Sequence, residues 1–406
     1  VLRPILTATV LTWALTAPAS GQAPAPEAPL TFEAAIERAI GANPTVAAAR
    51  LRRIATLREV DVASERLNPE ARVEFEREAP TQAYSLAVPI ETGGKRARRI
   101  AVSEAAVSVS EAELTQTLAE IRTSVRLAYF RRLLAESRLE VSQELQALAV
   151  RARDAAQQRF DAGSAPRLEV MQADLARAEA ENQTAAALGE TVAAGAQLNA
   201  LLALPPDATF PLATPLDVGF TTAPETAALR ARSASAEIAL LDRRLDEQRA
   251  RIALARAMQV ADVTTEATVT RGQPEFATGW RAAVAVAVPI FTRHRAGVLL
   301  EEATLMQIAT ERDAALNRIT GDVTAAAVVA DAQRQQYLRY RDEIIPQAQD
   351  VERLAEDSYR LGRTGISAFL QALQSTRDVR LRSLQAAADF HIALADLERA
   401  IGAPLP

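Results

Sequence analysis

The residues able to do chemistry in this chain are few. There is no cysteine, the only histidines are His294 and His391, and the methionines are Met171, Met258 and Met306. The missing cysteine excludes disulfides, thiolate metal sites and thiol nucleophiles. The histidines stand about a hundred positions apart and the methionines are scattered, so no cluster has transition-metal ligand spacing. No glycine-rich phosphate loop and no nucleophile elbow occurs. The carboxylates are numerous, but they fall in the surface patterns that coiled-coil faces carry anyway. The reading is therefore of a protein with no cofactor and no catalytic site, whose polar residues act by lining and pairing.

Composition narrows what could position them. Of 406 residues, 49% are hydrophobic but only 4% aromatic, so the core is built from Ala, Leu and Val, which suits long, closely packed helices. A net charge of −5 with acids and arginines interspersed is not the footprint of a nucleic-acid binder. Lys95 is the sole lysine. At the N-terminus, Arg3 precedes a mostly apolar run from Pro4 to Ala19 with small-x-small sites at Ala17–Ala19 and Gly21–Ala23, which reads as a signal peptide over 1–23. Residues 24–29 read as a Pro-rich linker. No other stretch is apolar enough for a transmembrane helix, so any membrane span must be made of strands.

The chain repeats itself. Val88-Pro89-Ile90 recurs as Val288-Pro289-Ile290, 200 positions on. Arg159–Gly163 is echoed by Ser358–Gly362, Met171–Ala173 by Leu370–Ala372, and Leu198 and Pro205 by Leu397 and Pro404, all at offset 199. Two copies are expected, 30–204 and 223–406, joined by a linker over 205–222. Each should hold a helix (31–66 and 223–258), two short strands, a very long helix (96–160 and 296–361), a Gly turn and a returning helix. Thr31 is the expected first N-cap. Leu114, Leu118, Ile121, Val125 and Ala128 step by 4, 3, 4, 3, as do Val141, Leu145, Leu148, Ala152 and Ala155. On the return Leu168, Met171, Leu175 and Ala178 step by 3, 4, 3, and all these spacings predict coiled-coil seams. A helix of this length spans roughly 100 Å. Pro346 should kink or break the second long helix. The matching position in the first copy is near Ala147, so the copies should differ there.

The strand segments alternate. Arg72, Glu74 and Glu76 alternate with Ala71, Val73 and Phe75, and Tyr84, Leu86 and Val88 with Ala83, Ser85 and Ala87. Ala267 and Val269 alternate with Glu266, Thr268 and Thr270, and Trp280 through Ile290 with Arg281, Ala283, Ala285 and Ala287. One apolar face and one polar or small face is the pattern of a barrel with a wet lumen, in which Arg72, Glu74, Glu76 and Arg281 would face inward. A half-buried sheet in a soluble domain shows the same alternation. Trp280, Tyr84, Phe276 and Phe291 flank the strands as interface aromatics would. Four strands cannot close a barrel, since about eight are needed, so several chains would contribute, and three would give twelve.

These residues also resemble a known family. Leu30–Ile36, then Ala42-Asn43-Pro44 and the run to Arg50, look like the opening of TolC-like outer-membrane efflux proteins. So do Ile344–Ala348 and Ser358–Gly362. Pro89–Arg96 and Pro289–Arg295 resemble the strand-to-helix junctions of the heavy-metal (CzcC/CusC-like) branch. The resemblance implies a mainly α fold of two repeats and a homotrimer, with a twelve-stranded barrel in outer-membrane lipid above a periplasmic helical tunnel. It also implies a periplasmic adaptor (membrane fusion protein) and an inner-membrane pump of the resistance-nodulation-division type as partners. Phe160, Gly163, Ser164 and Arg167, with Tyr359, Gly362, Thr364 and Gly365, would form the adaptor-docking tips. Gly163 and Gly362 are also what any tight hairpin needs. Some relatives narrow the pore with acids just past the second tip. Ala368 and Gln371 stand at those pore positions without an acid, and Glu169 and Gln172, just past the first tip, join them as gate candidates. A type I secretion or drug-efflux outlet of the same family is the alternative. A periplasmic coiled-coil adaptor is a poorer fit, because only 15 glycines and about four strands are present.

Overall fold

The computed structural model describes residues 29–77, 82–215, 235–271 and 279–402. The expected signal segment, most of the 24–29 linker, residues 216–234, Phe276 and Pro404 lie outside the described residues. The elements are α1 (Phe32–Ala42), α2 (Pro44–Ser64), β1 (Glu70–Phe75), β2 (Gln82–Ile90), α3 (Lys95–Asp161) and α4 (Arg167–Leu201). They continue as α5 (Ala236–Ala257), β3 (Val263–Arg271), β4 (Gly279–Val286), α6 (Arg295–Arg339), a π-helical turn (Tyr340–Ile344), α7 (Ile345–Arg360) and α8 (Ile366–Ile401). The order helix, two strands, long helical hairpin occurs twice.

Local sequence explains the starts and stops. Thr31 caps α1, its side chain accepting from the Ala34 N–H at 3.1 Å. The expected single helix over 31–66 is two helices. Asn43 ends α1 and caps α2, accepting from the Thr45 N–H at 2.8 Å and donating to the Leu201 carbonyl at 2.9 Å. Pro44, with no N–H, takes the first position of α2. α3 is a single helix of 67 residues that runs uninterrupted past Ala147. In the second copy the α-helix is interrupted just ahead of Pro346, as expected, and resumes at Ile345. The preceding turn widens to π geometry, with the Ile345 N–H reaching Tyr340 O. The extra residue accommodates a proline ring that would otherwise meet the Asp342 carbonyl.

The four strands form one antiparallel sheet in the order β1-β2-β3-β4. β4 stops at Val286 rather than reaching Ile290. Val286 is already opposite Val263, the first residue of β3, and Pro289 has no N–H to continue a ladder. The Ile290 N–H turns back to Val288 O at 2.9 Å. Glu76 lies just past the end of β1.

The core is distributed along the helices. One cluster joins Phe32, Ile36, Val125, Tyr129, Phe130, Leu198 and Phe210. A second joins Ile238, Ile319, Val323, Phe390, Leu394 and Leu397. The seam read on α3 holds, since Ile121, Val125, Ala128, Leu148 and Ala152 are buried. The stripe read on α4 is not its seam with α3. Val170, Ala173 and Ala187 are the buried positions, and Leu168, Met171 and Leu175 are exposed. Small residues face α3 because they let the two backbones approach. The larger apolar side chains are left on the outer flank.

Candidate functional site: the sheet and the helical tips

Strand register decides which side chains share a face. Arg72 is opposite Ser85, Ser85 opposite Thr268, and Thr268 opposite Arg281. Glu74, Ala83, Thr270 and Gly279 form the next polar or small row, and Glu70, Ala87, Glu266 and Ala283 another. Most of the charged and small residues thus fall on one face, as their alternation predicted, while Gln82, Thr265 and Arg271 stand on the other. The residues of the polar face pair within it: Arg72 lies 3.8 Å from Glu74, Arg281 4.0 Å from Glu266, and Thr268 donates to Glu266 at 3.1 Å. The other face carries Val73, Phe75, Tyr84, Leu86, Val88, Val269, Trp280, Val284 and Val286, all exposed. Trp280 is 82% exposed and Phe75 73%, which no folded monomer in water would favour. β1 and β4 each have a strand on one side only, so two ladders stay open.

Where sheet meets helices, the turn after β2 is held by residues from both repeats. Gly93 and Gly94 adopt φ +64° and +71°, and a Cβ on Gly93 would meet Val260 at 2.9 Å. Lys95 is buried, and its Nζ lies 2.7 Å from Asp262 Oδ2. The Thr92 N–H donates to Asp262 at 2.9 Å, and the Thr92 hydroxyl to the Ala261 carbonyl. Partial burial pushes the Asp262 carboxyl up, but the hydrogen bonds from Lys95 and Thr92 outweigh it and hold it below the usual value. Arg99 adds a bond to Glu91 and donates to the carbonyls of Ala63 and Glu65.

The two hairpin tips are built alike. The Gly163 N–H reaches Phe160 O and the Ser164 N–H reaches Arg159 O, both at 2.8 Å. At the second tip the Gly362 N–H reaches Tyr359 O and the Arg363 N–H reaches Ser358 O, both at 2.9 Å. Gly163 and Gly362 share φ +68°, a left-handed conformation that closes a helix C-terminus. Gly163, Ser164, Arg167, Gly362, Thr364 and Gly365 are exposed, and so in part is Phe160. Tyr359 corrects its place in the docking set. It is 2% exposed and stacks on Phe369 with ring centroids 5.3 Å apart, so it holds the tip from inside.

Beside Tyr359 is a contact between the hairpins that sequence reading missed. The Arg159 guanidinium of the first hairpin lies 5.0 Å from the Tyr359 ring centroid, and its Nη1 is 3.8 Å from Glu169 Oε2. The Tyr359 hydroxyl is buried without a hydrogen bond. Burial, then the Glu169 carboxylate, push that phenol above its usual range, against the pull of Arg159. Glu169 therefore faces Arg159 within the chain. Gln172 and Gln371 meet at a groove of about 710 Å³ between α3, α4 and α8, where the Ser367 hydroxyl donates to Gln172 at 3.3 Å. Ala368 is exposed on the adjoining turn.

Near the C-terminal end of α8, Glu398 is buried and accepts from Arg122 and Arg126 of α3, each at 2.8 Å. His391 is buried and stacks on Phe130 at 3.6 Å. It is a packing group of α8 against α3. Among the described residues no group of three His, Cys, Asp or Glu is placed to hold a metal ion, and no helix is long and apolar enough to cross a membrane.

Comparison with known proteins agrees with this architecture. Residues 35–204 match the outer membrane efflux protein family. The chain is 25% identical over 395 residues to the cobalt-zinc-cadmium resistance protein CzcC of Cupriavidus metallidurans, covering 92% of this chain and 90% of that one. Its fold is similar to that of the outer-membrane channel OprN, with TM-score 0.75, 18% identity and 92% and 90% of the two chains covered. It is similar also to the CmeC outer membrane channel of Campylobacter jejuni, with TM-score 0.76, 15% identity and 91% and 85% covered.

Proposed function

We propose that this chain, a TolC-like outer-membrane efflux protein with its helical tunnel in the periplasm, is the exit duct through which heavy-metal cations leave the cell. It is a channel and not an enzyme. The observation that carries the duct reading is the sheet: a continuous polar face, an exposed apolar face and two open edges. Bilayer contact removes the cost of the apolar face, and pairing of β4 with β1 of a neighbouring copy closes the ladders. Three copies give twelve strands, above the roughly eight needed for closure. The flanks of the helical layer fit the same arrangement. Leu168, Met171 and Leu175 on α4, and Val351 and Leu354 on α7 with Leu361 just past its end, are exposed. A head-to-tail ring would bury both stripes.

In this reading α3, at 67 residues, carries the duct roughly 100 Å into the periplasm. The polar face of the sheet, with Arg72, Glu74 and Arg281, lines the exit, and Glu76 lies at its rim. The exposed tip residues from Phe160 to Arg167 and from Gly362 to Gly365 dock on a periplasmic adaptor, which connects to an inner-membrane pump of the resistance-nodulation-division type. The metal assignment rests on the similarity to CzcC and on the junction residues Pro89–Arg96. A strain lacking the gene should accumulate zinc, cobalt or cadmium, and the intact gene should restore normal content. Sensitivity to drugs with unchanged metal content would keep the duct and overturn the metal reading.

A further inference from the structure

All four junctions between sheet and helices lie at one end of the sheet, because the strands are antiparallel and each is joined there to a helix. That end gathers cations. Three are matched by acids: Lys95 by Asp262, Arg99 by Glu91 and Arg256 by Glu302. Arg96 donates to the Ser64 carbonyl. Arg66, Arg98, Arg293 and Arg295 are exposed and carry no ion pair or side-chain hydrogen bond among the described residues. Glu65 and Glu70 are the acids beside the strands in the same condition, with Glu59 and Glu104 farther up α2 and α3, so free cations outnumber free acids only close to the sheet.

These arginines adjoin the apolar face. After β4 ends, Val288 and Ile290 continue its apolar parity and stay exposed, and Phe291 is 97% exposed. Arg293 and Arg295 follow within four residues. An apolar and aromatic foot topped by unpaired guanidinium groups is the arrangement by which a protein sits at the boundary of acyl chains and headgroups. A neutral interface would leave the excess charge unmatched, whereas an anionic headgroup supplies bidentate acceptors for guanidinium.

We propose that this ring, centred on Arg293 and Arg295 and including Arg66 and Arg98, binds the phosphate headgroups of anionic phospholipid in the leaflet facing the periplasm. The inference rests on the barrel reading above. The test uses the full chain reconstituted in vesicles of phosphatidylcholine alone and of phosphatidylcholine mixed with phosphatidylglycerol. Insertion is read by protease protection, and lipid retention by mass spectrometry of the detergent-extracted protein. Phosphatidylglycerol should be retained in preference. Arg293→Gln and Arg295→Gln should each lower that preference about fivefold, more weakly at high salt. Arg77→Gln, at the opposite end of β1, should leave it unchanged. Insertion with equal retention of both lipids would overturn the proposal alone, as would an equal effect of the Arg77 substitution. Failure to insert into either membrane would overturn the barrel reading and the proposal with it.

Discussion

Lys95 Nζ lies 2.7 Å from Asp262 Oδ2, so the only lysine of the chain fastens the start of α3 to the start of β3 in the other repeat. The two partners are unequally buried, with side-chain exposures of 7% and 40%. Replacing Asp262 by Asn leaves an ammonium group with little water and should cost about 2–3 kcal/mol. Replacing Lys95 by Met leaves a carboxylate that water and Thr92 still reach, and should cost under about 1 kcal/mol. The heat-dissociation midpoint of the assembled protein should fall further for Asp262→Asn. Equal losses would show that the pair is not the fastening.

The same pair sets an acid limit. The folded Asp262 carboxyl lies below the ordinary 3.8, so its contribution is present above that value and is lost as pH falls through the lower folded one. A titration of heat stability downward from pH 5 should show an acid step that is smaller in Lys95→Met. An unchanged step would assign the acid limit to other carboxylates.

At the tips, packing rather than the hydroxyl makes Tyr359 matter. Its ring stacks on Phe369 beneath Arg159, while its oxygen has no hydrogen bond. Tyr359→Phe should keep single-channel conductance and stability within about 1 kcal/mol of the parent, because no bond is lost. Tyr359→Ala should cost about 3–5 kcal/mol locally and raise conductance by loosening the tips. Arg159→Ala should raise conductance too, by releasing Glu169. A Phe variant as leaky as the Ala variant would mean that the hydroxyl has a partner in the assembled protein.

The π turn at Tyr340–Ile344 inserts one residue ahead of Pro346, so removing one residue there should restore plain α geometry without rotating α7 away from α8. With Pro346 present that geometry is denied, and deletion of Glu343 alone should cost about 3 kcal/mol. Combined with Pro346→Ala, the same deletion should be tolerated. Export and heat stability of the two variants check this, and equal damage in both would mean that the π turn is needed for its own sake.

Much of this was legible in the sequence because it follows from spacing. The offset of 199 foretold two tips with matching hydrogen bonds, and period-two alternation placed Arg72 and Arg281 on one face before any register was known. What spacing could not give was the neighbour. Leu168, Met171 and Leu175 lie on one stripe of α4 as read, but a 3-4 rhythm does not say whether that stripe meets its own chain or another. Alanine at 173 and 187 won the intrachain seam by size. The contacts of Lys95 with Asp262 and of Arg159 with Tyr359 join residues far apart in sequence, and no local signal marks either. Pro346 signalled an interruption, and a helix held by packing on both sides can widen by a residue there and resume.

The two faces of the sheet can be separated by neighbouring residues on one strand. Val284 is on the apolar face, opposite Thr265, and Ala283 is on the polar face, opposite Glu266. If the apolar face meets lipid, Val284→Arg places a charge in the bilayer at a cost of about 2–4 kcal/mol near the midplane. Ala283→Arg places the same charge on the wet side, beside Glu266, at little cost. Val284→Arg should therefore block insertion and assembly. Ala283→Arg should insert normally and change single-channel conductance and ion selectivity, because it adds a fixed positive charge to the wet face. The reverse pattern would exchange the two faces. Equal tolerance of both would remove the sheet from the membrane altogether, whatever the helices below it do.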